Sequence, residues 1–375
     1  MSEDQFDEFL ALRKPGAHLD SQVKVNDEFA QSIGVDLVNF PKFDKAVGDD
    51  VTYPVKNVDQ RQRLDAIEDP DGGLEDYSGP YKPDLRFTDF SRTALATKLL
   101  PYGDDYTQLC VDGWFDEVSR RFGAERAAEI EWSAWNDQIV PEIPRWIEEF
   151  LPEGTVFHDV NQEVPEADRP STRVVYRGLF TPGPETAELS KEELVRWFLG
   201  SHEYLLQCIE AWASQLVVSD GLDEMFDIQY TLWGDTVLPG VKKLKESYLG
   251  ITGDGVQDWM KDLQIDATAL PGKAFDLDFE MPEDEVGIMS FNRCVAVDQW
   301  EGMGRPDILE KNCHSTCPKS MIVTTTFYNP NMKVDILAIP PRKHEGDVCC
   351  KWQFSMRDES DPEYVPVELG TKRTR

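Results

Sequence analysis

The sequence lacks the marks of several large protein classes. It has no stretch of about 18 consecutive apolar residues, so no segment is expected to span a bilayer. Positive charge is scarce: 38 Lys and Arg stand against 71 Asp and Glu, a formal net charge of −33. Such a chain repels phosphate backbones and anionic lipid, and no basic patch relieves the repulsion, so neither nucleic acid nor membrane is an expected partner. The densest cationic cluster, Lys242, Lys243 and Lys245, reads as the wet face of one helix. The opening residues, MSEDQFDEFLALRK, offer no basic segment followed by a continuous apolar run, so no secretory leader is expected. Seven cysteines in such a chain point to reduced thiols, metal ligands or a nucleophile rather than a disulfide framework. The expected location is the cytoplasm.

Catalytic signatures are missing too. H-E-x-x-H, G-x-S-x-G and G-x-x-x-x-G-K-[ST] do not occur, which removes the main support for zincin, α/β-hydrolase and P-loop readings. Paired helical E-x-x-H motifs, the ligands of a di-iron bundle, are absent. Gly253-Asp254-Gly255 and Gly302-Met303-Gly304 do not extend to G-x-G-x-x-G and read as turns.

What the chain does have is material for a core. It is 40% hydrophobic over 375 residues, with 10 Trp and 19 Phe, enough for one large domain or two ordinary ones. Residues 1–90 carry many prolines and little periodicity. They read as an extended arm anchored by Phe40, Phe43, Tyr53, Tyr77 and Tyr81, after a short helix at Glu3 to Leu12. In an oligomer such an arm can reach a neighbouring copy.

Helical periodicity starts at Ser91, a predicted N-cap for a run to Leu100. A second helix is expected from Asp104 or Asp105 to Gly123, and a third over Ala124 to Phe150, kinked by Pro141 and Pro144. Residues 152–188 read as an insertion or lid with one strand candidate, Arg173 to Phe180. Ser190 and Glu193 form a capping box opening a long helix, followed by a helix at Leu222 to Leu249 and a short one at Val256 to Leu263. The period then changes. Phe275, Leu277 and Phe279 alternate with acids, and further strands are expected at Ile288 to Val297, Lys333 to Ile339 and Val348 to Met356, around a partly helical Ile308 to Tyr328. The order predicts an α+β fold: a helical domain (91–265), a cysteine-rich α+β domain (266–357) and a tail (358–375).

Five of the seven cysteines fall between Cys294 and Cys350. Cys313 and Cys317 sit one helical turn apart, and alternation on a strand allows only one of Cys349 and Cys350 to join them. Cys313, His314, Cys317 and Cys350 make a candidate tetrahedral Zn site. Small buried thiols are the bland alternative. Cys313 is also the candidate nucleophile, beside His314 and Lys311 at an expected helix start marked by Pro318. His202 lies on the apolar face of the capped helix, either as a hydrogen-bonded core residue or as a general base. Asp112, in DGWFDEVSRRFG, is either a solvent-facing acid or a group orienting substrate, with Trp114 and Trp135 stacking on a planar ligand or filling the core.

Two stretches carry a family likeness. Asp112 to Trp135, in the form D-G-W-F-x2-V-x3-F-G-x3-A-x7-W, resembles the helical opening of the L-2-amino-thiazoline-4-carboxylic acid hydrolase-like family. Arg293-Cys294 through Cys313, Pro340-Pro341 and Cys350-Lys351-Trp352-Gln353-Phe354 resemble its closing pattern. The ending is also similar to the tail of 4-vinyl reductase domains. Where that pattern has a cysteine before Pro-Pro, this chain has Ile339. The resemblance implies hydrolytic opening of a cyclic C–N bond.

The expected protein is therefore a cytoplasmic hydrolase or lyase acting on a small cyclic or planar molecule. In it Cys313 serves as nucleophile or metal ligand, His202 as base and Asp112 as orienting group. The alternatives are a non-catalytic module holding a metal or a hydrophobic ligand, and a subunit of a larger enzyme complex. Either way the pocket is expected between the helical part and the cysteine-rich unit.

Overall fold

A computed structural model describes residues 72–266, 275–294, 297, 313–314, 317–340, 342 and 347–357. The helix expected at Glu3 to Leu12, most of the N-terminal arm and the 358–375 tail lie outside the described residues. The last part of the arm packs on the helices. Leu74 bridges to Phe90, the Tyr77 N–H donates to the Leu249 carbonyl at 2.7 Å, and Tyr77, Phe87 and Phe90 are buried.

The helical region grows from local signals. Ser91 caps the first helix by accepting from the Ala94 N–H at 3.0 Å. Arg92–Ala94, Leu95–Leu99 and Leu100–Phe122 then run on as one helix, α1, where the sequence suggested two. The reason is Pro101. It lacks an N–H, and the turn Leu95–Leu99 widens to π geometry just ahead of it, so the helix absorbs the proline instead of breaking. Gly123, at φ +94°, ends α1 in a conformation that suits glycine.

Helix α2, Ala124–Ala134, continues through a widened turn at Trp135–Ile139 and a tight one at Val140–Glu142 into α3, Ile143–Phe150. This is the kink expected at Pro141 and Pro144. Helix α4, Lys191–Asp220, opens with both bonds of the capping box, Glu193 N–H to Ser190 Oγ at 3.3 Å and Ser190 N–H to Glu193 Oε2 at 2.8 Å. Leu222–Leu232, Trp233–Val237, Leu238–Leu244 and Lys245–Leu249 join as α5, again with a π turn ahead of a proline, Pro239. Trp114 of α1 stacks on Trp212 of α4 with centroids 6.3 Å apart, at the centre of the bundle core.

The strand expected at Arg173 to Phe180 is not a strand. The segment has no partner strand among the described residues; side chains of the helices supply its hydrogen bonds. The Val174 N–H donates to Glu131 Oε2, Tyr204 donates to the Tyr176 carbonyl, and Trp197 Nε1 donates to the Phe180 carbonyl. The segment is instead an extended chain lying along the bundle.

Helix α6, Val256–Ile265, leads to a four-stranded antiparallel sheet: β1 Phe275–Glu283, β2 Val286–Cys294, β3 Met332–Ala338 and β4 Cys350–Met356, in the order β1-β2-β4-β3. Helix α7, Cys317–Tyr328, precedes β3. The register pairs Met289 with Trp352 and Gly287 with Phe354, so these share one face. That face meets α6 and Tyr328 in a second core containing Trp259, Met260, Met289, Trp352 and Phe354. Gly287 permits the approach, since a Cβ there would lie 2.5 Å from Met260. The fold is α+β, as its sequence order predicted. No helix among the described residues is long and apolar enough to cross a membrane.

Candidate functional site

Between the helices and the sheet lies a hollow of about 450 Å³. Helix α5 presents Tyr230, Trp233, Val241, Lys242 and Lys245 to it, and α6 presents Trp259, Asp262, Leu263 and Asp266. Helix α7 contributes Cys317, Ser320, Met321, Thr324, Phe327 and Tyr328, a face at three-to-four spacing. The sheet closes the hollow with Phe275, Phe291, Cys294, Cys350 and Trp352, and α1 adds Tyr106. Cys313 also reaches the wall. Helical faces and a strand end, distant in sequence, thus share one space.

Its wall is mostly rings and aliphatic groups, with one ionic cluster. The Lys245 side chain is only 1% exposed, although its sequence neighbourhood read as a wet face. Its ammonium donates to Asp262 Oδ2 at 2.7 Å and to the Asp262 carbonyl at 3.1 Å, and lies 3.6 Å from Asp266 Oδ2. Lys243 does point to solvent, while Lys242 is half-buried, its Nζ 3.5 Å from the Tyr328 carbonyl and 5.0 Å from that ring. Burial holds the Asp262 carboxyl above the ordinary carboxylate range, against the opposing pull of Lys245. Tyr106 donates to Asp266 at 3.5 Å.

Four thiols line the same hollow: Cys294, Cys313, Cys317 and Cys350. None of the seven cysteines forms a disulfide. Desolvation pushes Cys317 up to about 11 even though it keeps accessible surface. Desolvation also raises Cys350, and the hydrogen bond from Trp352 Nε1 at 3.2 Å only partly offsets it. Both are thiols at neutral pH, not the thiolates that a nucleophile or a metal ligand requires. Cys349 turns the other way, its Sγ 3.6 Å from the Asn292 carbonyl, as strand alternation predicted.

The residues expected as Zn ligands are not gathered as a set. His314 is exposed and does not itself line the hollow; its Nε2 meets the carbonyl of Pro340, a wall residue, at 2.6 Å. Among the described residues no group of three His, Cys, Asp or Glu is placed to hold a metal ion.

Nor does the structure bring together the expected catalytic residues. Cys313 is on the wall, but Asp112 sits on an outer face of α1, paired with Arg173 at 3.1 Å. His202 is buried within the bundle, Nδ1 at 3.1 Å from the Phe198 carbonyl, and desolvation pulls it down to about 4. It is a neutral core histidine at physiological pH, tilted against Tyr102 with centroids 5.9 Å apart. Trp114 and Trp135 are fully buried core residues; Trp135 meets Tyr176 edge-on and bonds Asp159 at 3.3 Å. The 152–188 segment contributes nothing to the wall.

Lys245, Asp262 and Asp266 are the site residues that sequence reasoning passed over. Their signal was spacing: Lys242 and Lys245 three apart, Asp262 and Asp266 four apart, each pair on a helix face carrying Trp or Val.

No family model, curated protein or solved structure matches this chain. The family likeness therefore rests on its motif residues. Those of its first stretch, Trp114, Val118 and Trp135, fill the bundle core, whereas those of the second, Cys294, Cys313, Cys350 and Trp352, line the hollow.

Proposed function

We propose that the protein binds a compact, planar or cyclic and mainly apolar molecule in the hollow between its helices and its sheet. The observation that carries this reading is the wall of Trp233, Trp259, Phe275, Phe291, Tyr328 and Trp352, interrupted by ionic groups only around Lys242 and Lys245. Small-molecule sites have this character: about 300–1,000 Å³, apolar walls and a few convergent polar groups. Un-ionised thiols facing such a space suit a reducing compartment, and the cytoplasm is the proposed location.

Hydrolytic cleavage of a cyclic C–N bond, implied by the family likeness, is the second reading. What favours it is the buried Asp262–Lys245–Asp266 cluster on the wall, ionisable groups of the kind that move protons in a dry site. Cys317 and Cys350 give it no nucleophile in their resting state.

Thermal unfolding with toluene as probe tests the binding reading. Occupation at a hundredfold excess over Kd stabilises a folded protein by about 2.7 kcal/mol. The wild type is expected to gain in Tm. Thr324→Phe, which places a ring into the hollow from α7, is expected to fold and lose that gain. An unshifted wild-type Tm at saturating toluene sinks the proposal.

A further inference from the structure

The wall of the hollow carries two ammonium groups, Lys242 and Lys245, and two carboxylates, Asp262 and Asp266, so its charges sum to zero. These groups are engaged with the protein itself. Lys245 of α5 lies buried between the carboxylates of Asp262 and Asp266 at the C-terminal end of α6, 2.7 and 3.6 Å from them. Lys242 is turned to the Tyr328 carbonyl and ring, and its charge also acts on Asp262. Burial and the surrounding acids keep the Tyr328 phenol protonated, and the thiols of Cys317 and Cys350 are un-ionised as well.

We infer that Lys245 makes the hollow selective for uncharged ring compounds, hydrocarbons and alcohols among them, and closes it to amines and acids alike. The inference rests on the hollow being a ligand site and gives that site its charge selection. A ligand ammonium sheds its water shell and finds Asp262 and Asp266 already holding Lys245. To reach them it must break a buried ion pair, which is strongly destabilising. A ligand carboxylate finds Lys245 flanked by two like charges and Lys242 within the field of Asp262. An uncharged ring incurs neither cost and packs against Trp259, Phe291 and Trp352.

Calorimetric titration of the full chain at neutral pH tests this with toluene, benzyl alcohol, benzylamine and benzoate, ring probes of similar size and different charge. Toluene and benzyl alcohol are each expected to bind at least about tenfold more tightly than either ion, because a buried charge without a free counter-charge costs far more than a buried hydroxyl. Lys245→Met keeps the length of the side chain and removes its charge. This variant is expected to bind benzylamine at least about tenfold more tightly than the wild type does, with toluene affinity unchanged, because its carboxylates are left without their cation. An ion that binds the wild type within about tenfold of either uncharged probe overturns the selectivity and leaves the hollow as a binding site. A folded Lys245→Met with no gain in benzylamine affinity overturns the role of Lys245. Absence of binding by all four probes overturns the selectivity and the site together. Should Lys245→Met fail to fold, the wild-type ranking decides alone.

Discussion

His202 illustrates how a single side chain divides its two readings by environment. Desolvation outweighs the Phe198 carbonyl, so the folded protein keeps this ring neutral until the pH nears about 4. The unfolded chain takes up its proton near the ordinary value of 6.5. Between those limits the unfolded state holds more protons, so the contribution is fully present above 6.5 and is lost as pH falls toward 4. The loss amounts to at most about 3.5 kcal/mol, since each tenfold change in proton affinity is worth roughly 1.4 kcal/mol. Glu131, buried beside Arg173 and pushed up to about 7, works with the opposite sign: stability falls as pH rises through its window. Comparing two proteins that share Glu131 isolates the histidine. The stability advantage of wild type over His202→Phe, from urea unfolding at several pH values, is expected to shrink between pH 7 and 4.5. A pH-independent difference contradicts the neutral buried histidine. Sequence placed His202 on an apolar helix face, which was right; how deep that face lies depends on Tyr102 and Phe198 around it.

At the scale of elements, caps and close approaches carry the testable energies. Ser190 and Glu193 satisfy each other's backbone groups, so Ser190→Ala is expected to cost about 1 kcal/mol in denaturant unfolding. An unchanged midpoint denies the cap a role. Gly200 on α4 is tighter still: a Cβ would lie 2.6 Å from Phe150 and from the Phe180 ring. Gly200→Ala therefore sets a helix-propensity gain of about 1 kcal/mol against overpacking of about 1–3 kcal/mol, and net destabilisation is expected. A stabilised variant shows that the α3–α4 contact yields freely. Caps of this kind are short-range, which is why the starts of α1 and α4 were legible. Pro101 was legible too, but its outcome was not, because packing of Leu95, Leu99 and Leu100 into the core stabilises a continuous helix that local propensity does not favour. The extended run Val174 to Phe180 misled for a related reason. Its β-branched and aromatic residues suit an extended chain, and that preference does not say whether a strand or a helix bundle covers it.

The whole molecule sets apart a bundle core and a sheet core, with a space between them walled by both. The helices-then-sheet order was readable from periodicity, whereas the meeting of the late cysteines with the helical part was an expectation that no local pattern carried. Which helical residues meet them was not readable either. Lys245, Asp262 and Cys350 are far apart in sequence and join only through the packing of α5, α6 and β4, a relation no local pattern encodes. The candidate catalytic set failed for the same reason in reverse: Asp112, His202 and Cys313 were chosen one by one for their chemistry, and the fold distributes them over an outer face, a core and a cavity wall. Ligand binding by this protein therefore stands or falls with the hollow itself. Its most direct test is a crystal of the full chain soaked in bromobenzene, with the bromine located by anomalous scattering. The predicted result is a bromine peak enclosed by Trp259, Thr324, Cys350 and Trp352. A space filled by protein side chains, or bromine bound only at the surface, contradicts it.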